Sequence, residues 1–375
     1  MPGLLPNIDP DGLLEYSVVY TDRSLNHMSQ SFQDIMNDVS TSLKTVYNAH
    51  SVIVVPGGGT YAMEAVARQF ATNQNCLVLR NGWFSFRWSQ IFEMGNIPSE
   101  ETVMKALRVS KGSQAPFKPA NINEVVDMIQ MKKPNLVFAP HVETASGIIL
   151  PKDYIRSVAD AVHSVGGMFV LDCIASGAIW VDMEDSGVDI LISAPQKGWS
   201  ASPAFGLVML SAKANNAINK TQSTSFSCVL IKWLQIMQAY ENGTHAYHAT
   251  MPTDAIKRFR DTIAETAEFG FDKARKKQQE LGDKVRLLLE SHNIISVSEK
   301  GYQAPGVVVS YTNDKEIHTG SKFSNIGMQI AAGVPLQCDE GDDYQAFRLG
   351  LFGLDKLKDV DAAVKRLEDA LKQVV

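Results

Sequence analysis

Apolar residues return at helical spacing between residues 29 and 48, where Phe32, Ile35, Met36, Val39, Leu43 and Val46 share one face. A β-branched run at residues 51–55 follows and predicts a buried strand. Pro56-Gly57-Gly58-Gly59-Thr60 ends that run, and residues 61–72 read as a helix. Further strand signals stand at residues 76–79, 136–139, 168–171, 188–192 and 205–210, with helical stretches such as 123–132 and 152–164 between them. Continuous apolar strands alternating with helices predict an α/β fold, its mainly parallel central sheet covered by helices on both faces.

The pattern changes past Pro252. Residues 254–292 are long, charged and helical, 307–311 and 347–351 are strand-like, and 355–374 form a closing amphipathic helix. This predicts an N-terminal arm (1–20), a large α/β domain (21–252) and a small C-terminal α+β domain (253–375), with the arm packed on the last. No internal repeat or low-complexity linker interrupts the chain.

Composition narrows the function classes. A chain of 375 residues can hold two sizeable cores. A net charge of −6 argues against a nucleic-acid footprint. No apolar run approaches a membrane span, and residues 1–10 lack the basic and apolar regions of a secretory signal. Cys76, Cys173, Cys228 and Cys338 show no CxxC spacing, so they read as free thiols in a reducing, cytoplasmic setting, with no metal site.

Chemistry-bearing residues stand at the strand ends. Lys197 lies in Ser193-Ala194-Pro195-Gln196-Lys197-Gly198, on a turn between two apolar strands. Near apolar walls a lysine loses its proton more readily, and the free amine condenses with an aldehyde to a Schiff base. A solvated turn lysine is the plain alternative. Gly57-Gly58-Gly59-Thr60, between strand and helix, suits a phosphate cradle or a simple tight turn. It lacks the Gly-Lys-Ser/Thr of a nucleotide loop and the later glycine of a dinucleotide fingerprint. Asp172, at the end of a buried strand, is either a helix cap or a carboxylate that keeps a heterocyclic nitrogen protonated. Phe84 and its aromatic neighbours suit stacking on a flat ring or core packing. Arg348, in Phe347-Arg348-Leu349-Gly350, offers a fork for a carboxylate or a structural ion pair.

Together these segments resemble fold-type I enzymes that use pyridoxal 5'-phosphate, and more narrowly class V aminotransferases of the alanine–glyoxylate type. The resemblance runs from about Arg23 to Gly353. It implies that Gly58, Gly59 and Thr60 hold the cofactor phosphate and that Phe84 stacks on its ring. Within His141-Val142-Glu143-Thr144-Ala145-Ser146-Gly147 it implies that Thr144 touches the cofactor. It makes Asp172 the partner of the pyridine nitrogen, Gln196 a phosphate contact and Lys197 the Schiff-base lysine. Tyr247-His248-Ala249-Thr250-Met251-Pro252 is similar to a segment whose tyrosine and threonine reach the phosphate of the partner subunit, so a homodimer is implied through Tyr247 and Thr250.

Two departures stand out. Asp9-Pro10-Asp11-Gly12 replaces the family's Gly-Pro-Gly-Pro opening, and Ser85 occupies a position that is often glycine. The expected activity is transfer of an amino group from a small amino acid or amine to a small 2-oxo acid such as glyoxylate or pyruvate. Arg348 is expected on the substrate carboxylate, or else paired with an acid from residues 339–343. The rivals are a lyase of the cysteine desulfurase kind, which would need Cys338, and a non-catalytic relative. Cys338, on a polar loop, is expected to face solvent.

Overall fold

The structure, a computed structural model, describes residues 8–375; the first residues of the expected arm, 1–7, lie outside the described residues. A seven-stranded sheet forms the centre. Its strands are β1 (Ser51–Pro56), β2 (Asn75–Arg80), β3 (Glu100–Lys105), β4 (Leu136–Pro140), β5 (Met168–Asp172), β6 (Ile190–Ser193) and β7 (Phe205–Leu210). The spatial order is β1-β7-β6-β5-β4-β2-β3. Only β7 runs against its neighbours; the β6, β5, β4, β2 and β3 ladders are parallel. Because β7 opposes both β1 and β6, those two share one direction. The segments after β1, β2, β4, β5 and β6 therefore all leave from one edge of the sheet.

Apart from the edge strand β3, the strands are buried along most of their length, which explains the unbroken apolar runs. Helix α1 (Gln30–Tyr47) begins at Ser29, whose side chain accepts the Phe32 N–H, and ends at Asn48 in the left-handed region. Helix α2 (Gly59–Val66) starts directly on the glycine turn and runs into a π-turn at Ala67–Ala71, where one regular helix was expected. Helix α3 (Trp83–Gly95) follows β2, α4 (Ile122–Lys132) precedes β4, and α5 (Lys152–Ser164) precedes β5.

The long charged stretch is not one helix. It breaks at Gly270 (φ 96°) into α6 (Thr253–Phe269) and α7 (Phe271–Ser291). Apolar periodicity continues across the glycine, so the pattern hid a break that positive φ makes easy there. Helix α6 packs on α1, α7 on the closing helix α8 (Val360–Val374). That helix begins at an Asp359 cap after a separate turn at Leu354–Leu357, later than expected.

A second, antiparallel sheet holds β8 (Val307–Tyr311), β9 (Ala331–Ala332) and β10 (Ala346–Gly350), with β10 in the middle. The described arm is tied to the start of α6: the Tyr20 hydroxyl donates to the Met251 carbonyl and the Leu25 N–H to Asp254. Leu13, Leu14, Tyr16 and Val18 remain exposed.

Candidate active site

The shared sheet edge gathers the expected residues. A pocket of about 410 Å³ is lined by Gly59, Thr60, Phe84, Thr144, Asp172, Gln196, Lys197 and Arg348. Seven come from segments of the central sheet that are far apart in sequence and the last from β10, while Gly58 opens the turn beside them. A second, larger groove of about 580 Å³ contains none of these residues; the convergence of amine, carboxyl and guanidinium selects the smaller one.

The turn after β6 carries Lys197. Gly198 lets it pass the backbone at Gly177, whose carbonyl oxygen would lie 2.1 Å from any added Cβ. Lys197 makes no ion pair among the described residues, and its amine lies 5.5 Å from the Phe352 ring centroid. Burial lowers its pKa, and the positive charge of Arg348 lowers it further. Both effects raise the fraction of free amine. The plain solvated turn is therefore set aside.

Asp172 ends β5, between Ile192 of β6 and Pro140 of β4. One carboxylate oxygen accepts the Ile174 N–H at 2.9 Å. Burial pushes the carboxyl up to about 7, and Arg87 opposes the shift. A protonated ring nitrogen would supply the partner that this carboxyl lacks.

The glycine turn has two tight positions and one open one. Gly57 holds φ 118°, and a Cβ there would strike the Tyr61 ring; a Cβ on Gly59 would strike Ile174. Beside Gly58 the space is empty within 4 Å. The first N–H groups of α2, which have no carbonyl partner within the helix, stand beside this space.

Phe84 is fixed by a group that the sequence reading left without a role. Glu143, fully buried, accepts N–H groups from Phe84 (3.2 Å), Ser85 (2.8 Å) and Ala145 (2.9 Å) and the Ser85 hydroxyl (2.7 Å). Ser85 Oγ in turn accepts the N–H groups of Asn81 and Gly82. A Cβ on Gly82 would collide with Glu143. The serine at the family's glycine position thus ties the ring-bearing turn to the segment that carries Thr144. Burial holds the Glu143 pKa above the usual carboxylate range despite these donors.

Arg87 was also missed. It lines the pocket, donates to Thr60 Oγ1 at 3.0 Å, and lies 5.1 Å from the Phe84 ring centroid. The signal was available: Arg87 sits three residues after Phe84, on the same helical face. Arg348 flanks the same ring at 5.5 Å, and its Nε donates to the Ala332 carbonyl. It has no acidic partner from residues 339–343: Asp339 pairs with Lys105, and the Glu340 carboxylate accepts the N–H groups of Leu336, Gln337 and Cys338.

Two residues expected at a partner's site stand apart from this pocket, and one expectation, for Cys338, comes out differently. Tyr247 and Thr250 do not line this pocket; Tyr247 is 55% exposed, and its hydroxyl lies 3.1 Å from that of Thr250. Cys338 is 4% exposed, not solvent-facing, because the Glu340 turn folds it inward. Burial pushes its thiol up to about 12, which leaves no thiolate for desulfurase chemistry. His141 is buried against Ser176 and lies outside the pocket.

The donor set fits pyridoxal 5'-phosphate: an unpaired amine, a carboxyl with one hydrogen bond, an aromatic wall and an open turn of N–H groups. The side-chain carbonyl of Gln196, buried at the same site, has no partner among the described residues.

The aminotransferase class-V family model matches residues 13–333, and the chain belongs to that family. The chain is 26% identical over 264 residues to the alanine–glyoxylate aminotransferase of Rattus norvegicus, a match spanning 69% of this chain and 60% of that protein. It is 26% identical over 351 residues to the 2-aminoethylphosphonate–pyruvate transaminase of Bacillus cereus, covering 92% and 89% of the two chains. Its fold is similar to the crystal structure of the alanine–glyoxylate aminotransferase from Nostoc sp., with TM-score 0.77, 20% identity and coverage of 92% and 89%. The chain is a fold-type I aminotransferase dependent on pyridoxal 5'-phosphate.

Proposed function

We propose that this class V aminotransferase moves an amino group from a small amino acid or amine to a small 2-oxo acid, glyoxylate or pyruvate, with Lys197 as covalent anchor and proton carrier. The observation that carries the reading is the unpaired Lys197 amine in one pocket with Asp172 and Arg348. The printed acceptors of the relatives, glyoxylate and pyruvate, support the substrate class.

When bound, pyridoxal 5'-phosphate supplies an aldehyde for amine condensation and a protonated ring that takes up the electron pair left at the substrate Cα. Lys197 holds that aldehyde through its amine and, once released, takes the proton from the substrate Cα. Asp172 keeps the ring nitrogen protonated by ion pairing. Gly58, Gly59, Thr60 and Gln196 hold the phosphate, together with Arg87. Phe84 and Thr144 hold the ring. Arg348 grips the substrate carboxylate through its fork, which fixes the substrate relative to Lys197.

The working unit in this reading is a homodimer. Tyr247 and Thr250, exposed and away from their own pocket, reach the partner's phosphate site, and the exposed apolar arm residues Leu13, Leu14, Tyr16 and Val18 give a partner surface to cover. The cofactor belongs to a large domain of residues 21–252, beside a small one of residues 253–375 and an arm of residues 1–20. All four cysteines are free and buried, which suits a reducing, cytoplasmic compartment.

The test is Lys197→Ala. Purified wild type should carry the visible absorbance of bound cofactor, and that band should fall and recover with an amine panel offered with glyoxylate and pyruvate. The variant should fold, by circular dichroism, and lose at least about 10²–10⁴-fold in turnover, the share of general acid–base catalysis alone. Near-normal turnover would sink the assignment.

A further inference from the structure

The small sheet turns one face to the active-site pocket. Side chains alternate along a strand, and residues paired directly across a ladder share a face. Arg348 of β10 pairs with Ala331 of β9, and Gly350 pairs with Val307 of β8. These four residues therefore lie on the same face, and all four line the pocket.

Gly350 is the odd member of the set. A glycine weakens a strand, and it marks a bend or a place where another backbone or a ligand comes close. Gly206 of β7 is the backbone case: a Cβ there would lie 2.7 Å from the Gly58 carbonyl oxygen. Gly350 has no such reason. Its φ lies outside the left-handed region, and a methyl carbon on it would meet nothing nearer than the Phe352 ring at 3.6 Å, an ordinary contact. It is the exposed last residue of β10. The missing side chain leaves a notch that the protein's own atoms do not fill.

The walls of the notch are hydrocarbon. Val307 stands beside it in the ladder, and the Phe352 ring closes one end. That ring is itself held in place. Methyl carbons on Gly306 and Gly177 would stand 3.3 and 3.5 Å from its opposite edge, and the Lys197 amine lies 5.5 Å from its centroid. At the other end of the notch is Arg348, two residues back and about 7 Å along the strand. Its Nε is taken by the Ala332 carbonyl, which leaves the outer nitrogens of the fork for an anion.

We propose that Gly350 is a specificity-determining residue: its notch takes the side chain of the amino acid or 2-oxo acid, and Phe352 sets the length that fits. The inference rests on the reading of Arg348 as the grip on the substrate carboxylate. Carboxylate and side chain leave the same carbon. A substrate held by the fork, with that carbon towards Lys197, brings its side chain onto the strand between Arg348 and Phe352. Hydrocarbon walls offer no partner to a charge, so the side chain that fits is short and apolar.

Gly350→Ala fills the notch with a methyl group and tests the assignment. Protein loaded with pyridoxamine 5'-phosphate is mixed with glyoxylate, or with pyruvate, which carries a methyl group where glyoxylate carries hydrogen. The return of the visible band gives the rate with each acid. The ratio of the pyruvate rate to the glyoxylate rate should fall about tenfold or more in the variant, the usual worth of one such group in a fitted pocket. The cofactor-free variant should melt no lower than wild type, since alanine at a compatible position restricts the unfolded chain. Phe352→Ala lengthens the notch and should raise the ratio of 2-oxopentanoate to pyruvate rates several-fold. An unmoved pyruvate-to-glyoxylate ratio, equal losses with both acids, or a lower melting temperature in Gly350→Ala would overturn the notch alone. An Arg348→Lys variant with unchanged KM for glyoxylate would overturn the carboxylate grip and the notch together.

Discussion

Replacing Asp172 by Asn should stabilise the cofactor-free protein at high pH while weakening its hold on the cofactor. The carboxyl is pushed up to about 7 from its usual 3.8, chiefly by burial. A raised carboxyl binds its proton more tightly in the folded than in the unfolded state. Its penalty is absent below pH 3.8, grows as the unfolded chain ionises, and is complete above about pH 7. At about 1.36 kcal/mol per pH unit, the penalty is roughly 2 kcal/mol at pH 5 and ~4 kcal/mol at pH 8, a difference of about 2–3 kcal/mol. Unfolding entropy near 2.1 cal/mol/K per residue gives about 0.8 kcal/mol/K for this chain, so that difference is roughly 3 °C in Tm. Asn keeps an oxygen for the Ile174 N–H and carries no such penalty. Thermal melts of both cofactor-free proteins at pH 5 and pH 8 should show the advantage of Asp172→Asn growing by about that amount. An advantage independent of pH, or a wild type that is the more stable at pH 8, would refute the reasoning. With cofactor added at pH 8, the wild type should gain more than the variant, because only the carboxylate can pair with a protonated ring.

Other parts of the site make separate predictions. Ser85→Ala strands the buried N–H groups of Asn81 and Gly82 and removes a donor from Glu143, so it should cost about 1–3 kcal/mol in a denaturant melt and loosen cofactor binding through Phe84; an unchanged melt would dismiss the clamp. Arg348→Lys keeps the charge but loses the planar fork, so it should raise KM for glyoxylate without lowering Tm; a lower Tm with unchanged kinetics would move Arg348 out of the site. Tyr247→Phe and Thr250→Ala should each weaken cofactor retention by about 1.5–3 kcal/mol, read as faster cofactor release on dilution; full activity from a monomer would contradict their reach into a partner.

The sheet was legible because parallel strands buried on both faces leave unbroken apolar runs, and nearly every such run became a strand. The same logic picked out the candidate residues, since Asp172, Lys197 and the glycine turn all sit at strand ends and line one pocket. Helix boundaries were less legible. Gly270 interrupts a pattern whose charges and apolar positions run straight through it, and a glycine at positive φ leaves no mark on periodicity. Cys338 was misplaced for a related reason. Its polar neighbours suggested a solvated loop, but Glu340 turns back onto the Leu336, Gln337 and Cys338 N–H groups, a contact that residue type alone does not announce. Glu143 was quoted only as part of a motif. A buried carboxylate satisfied by backbone donors from a distant segment is visible only once the two segments meet.

In the proposed reading, the charges of the pocket assign Arg87 to the cofactor phosphate. Arg87, Lys197 and Arg348 face Asp172 as the one acid that lines the pocket, and Glu143 behind it is already saturated with donors. Three cations against one carboxyl leave an excess of positive charge that an empty site can relieve only by losing protons. Lys197 is the group that can do so, since a guanidinium holds its proton. Burial lowers the Lys197 pKa first, and the positive charge of Arg348 adds to that shift. In that reading, a bound phosphate and a substrate carboxylate would bring negative charge to the two ends of this set. Arg87, beside Thr60 and the glycine turn, stands at the phosphate end, and Arg348, on the separate small sheet, stands across the Phe84 ring at the other. With both charges matched, the proposed reading would leave the Lys197 amine as the group that exchanges a proton with the substrate.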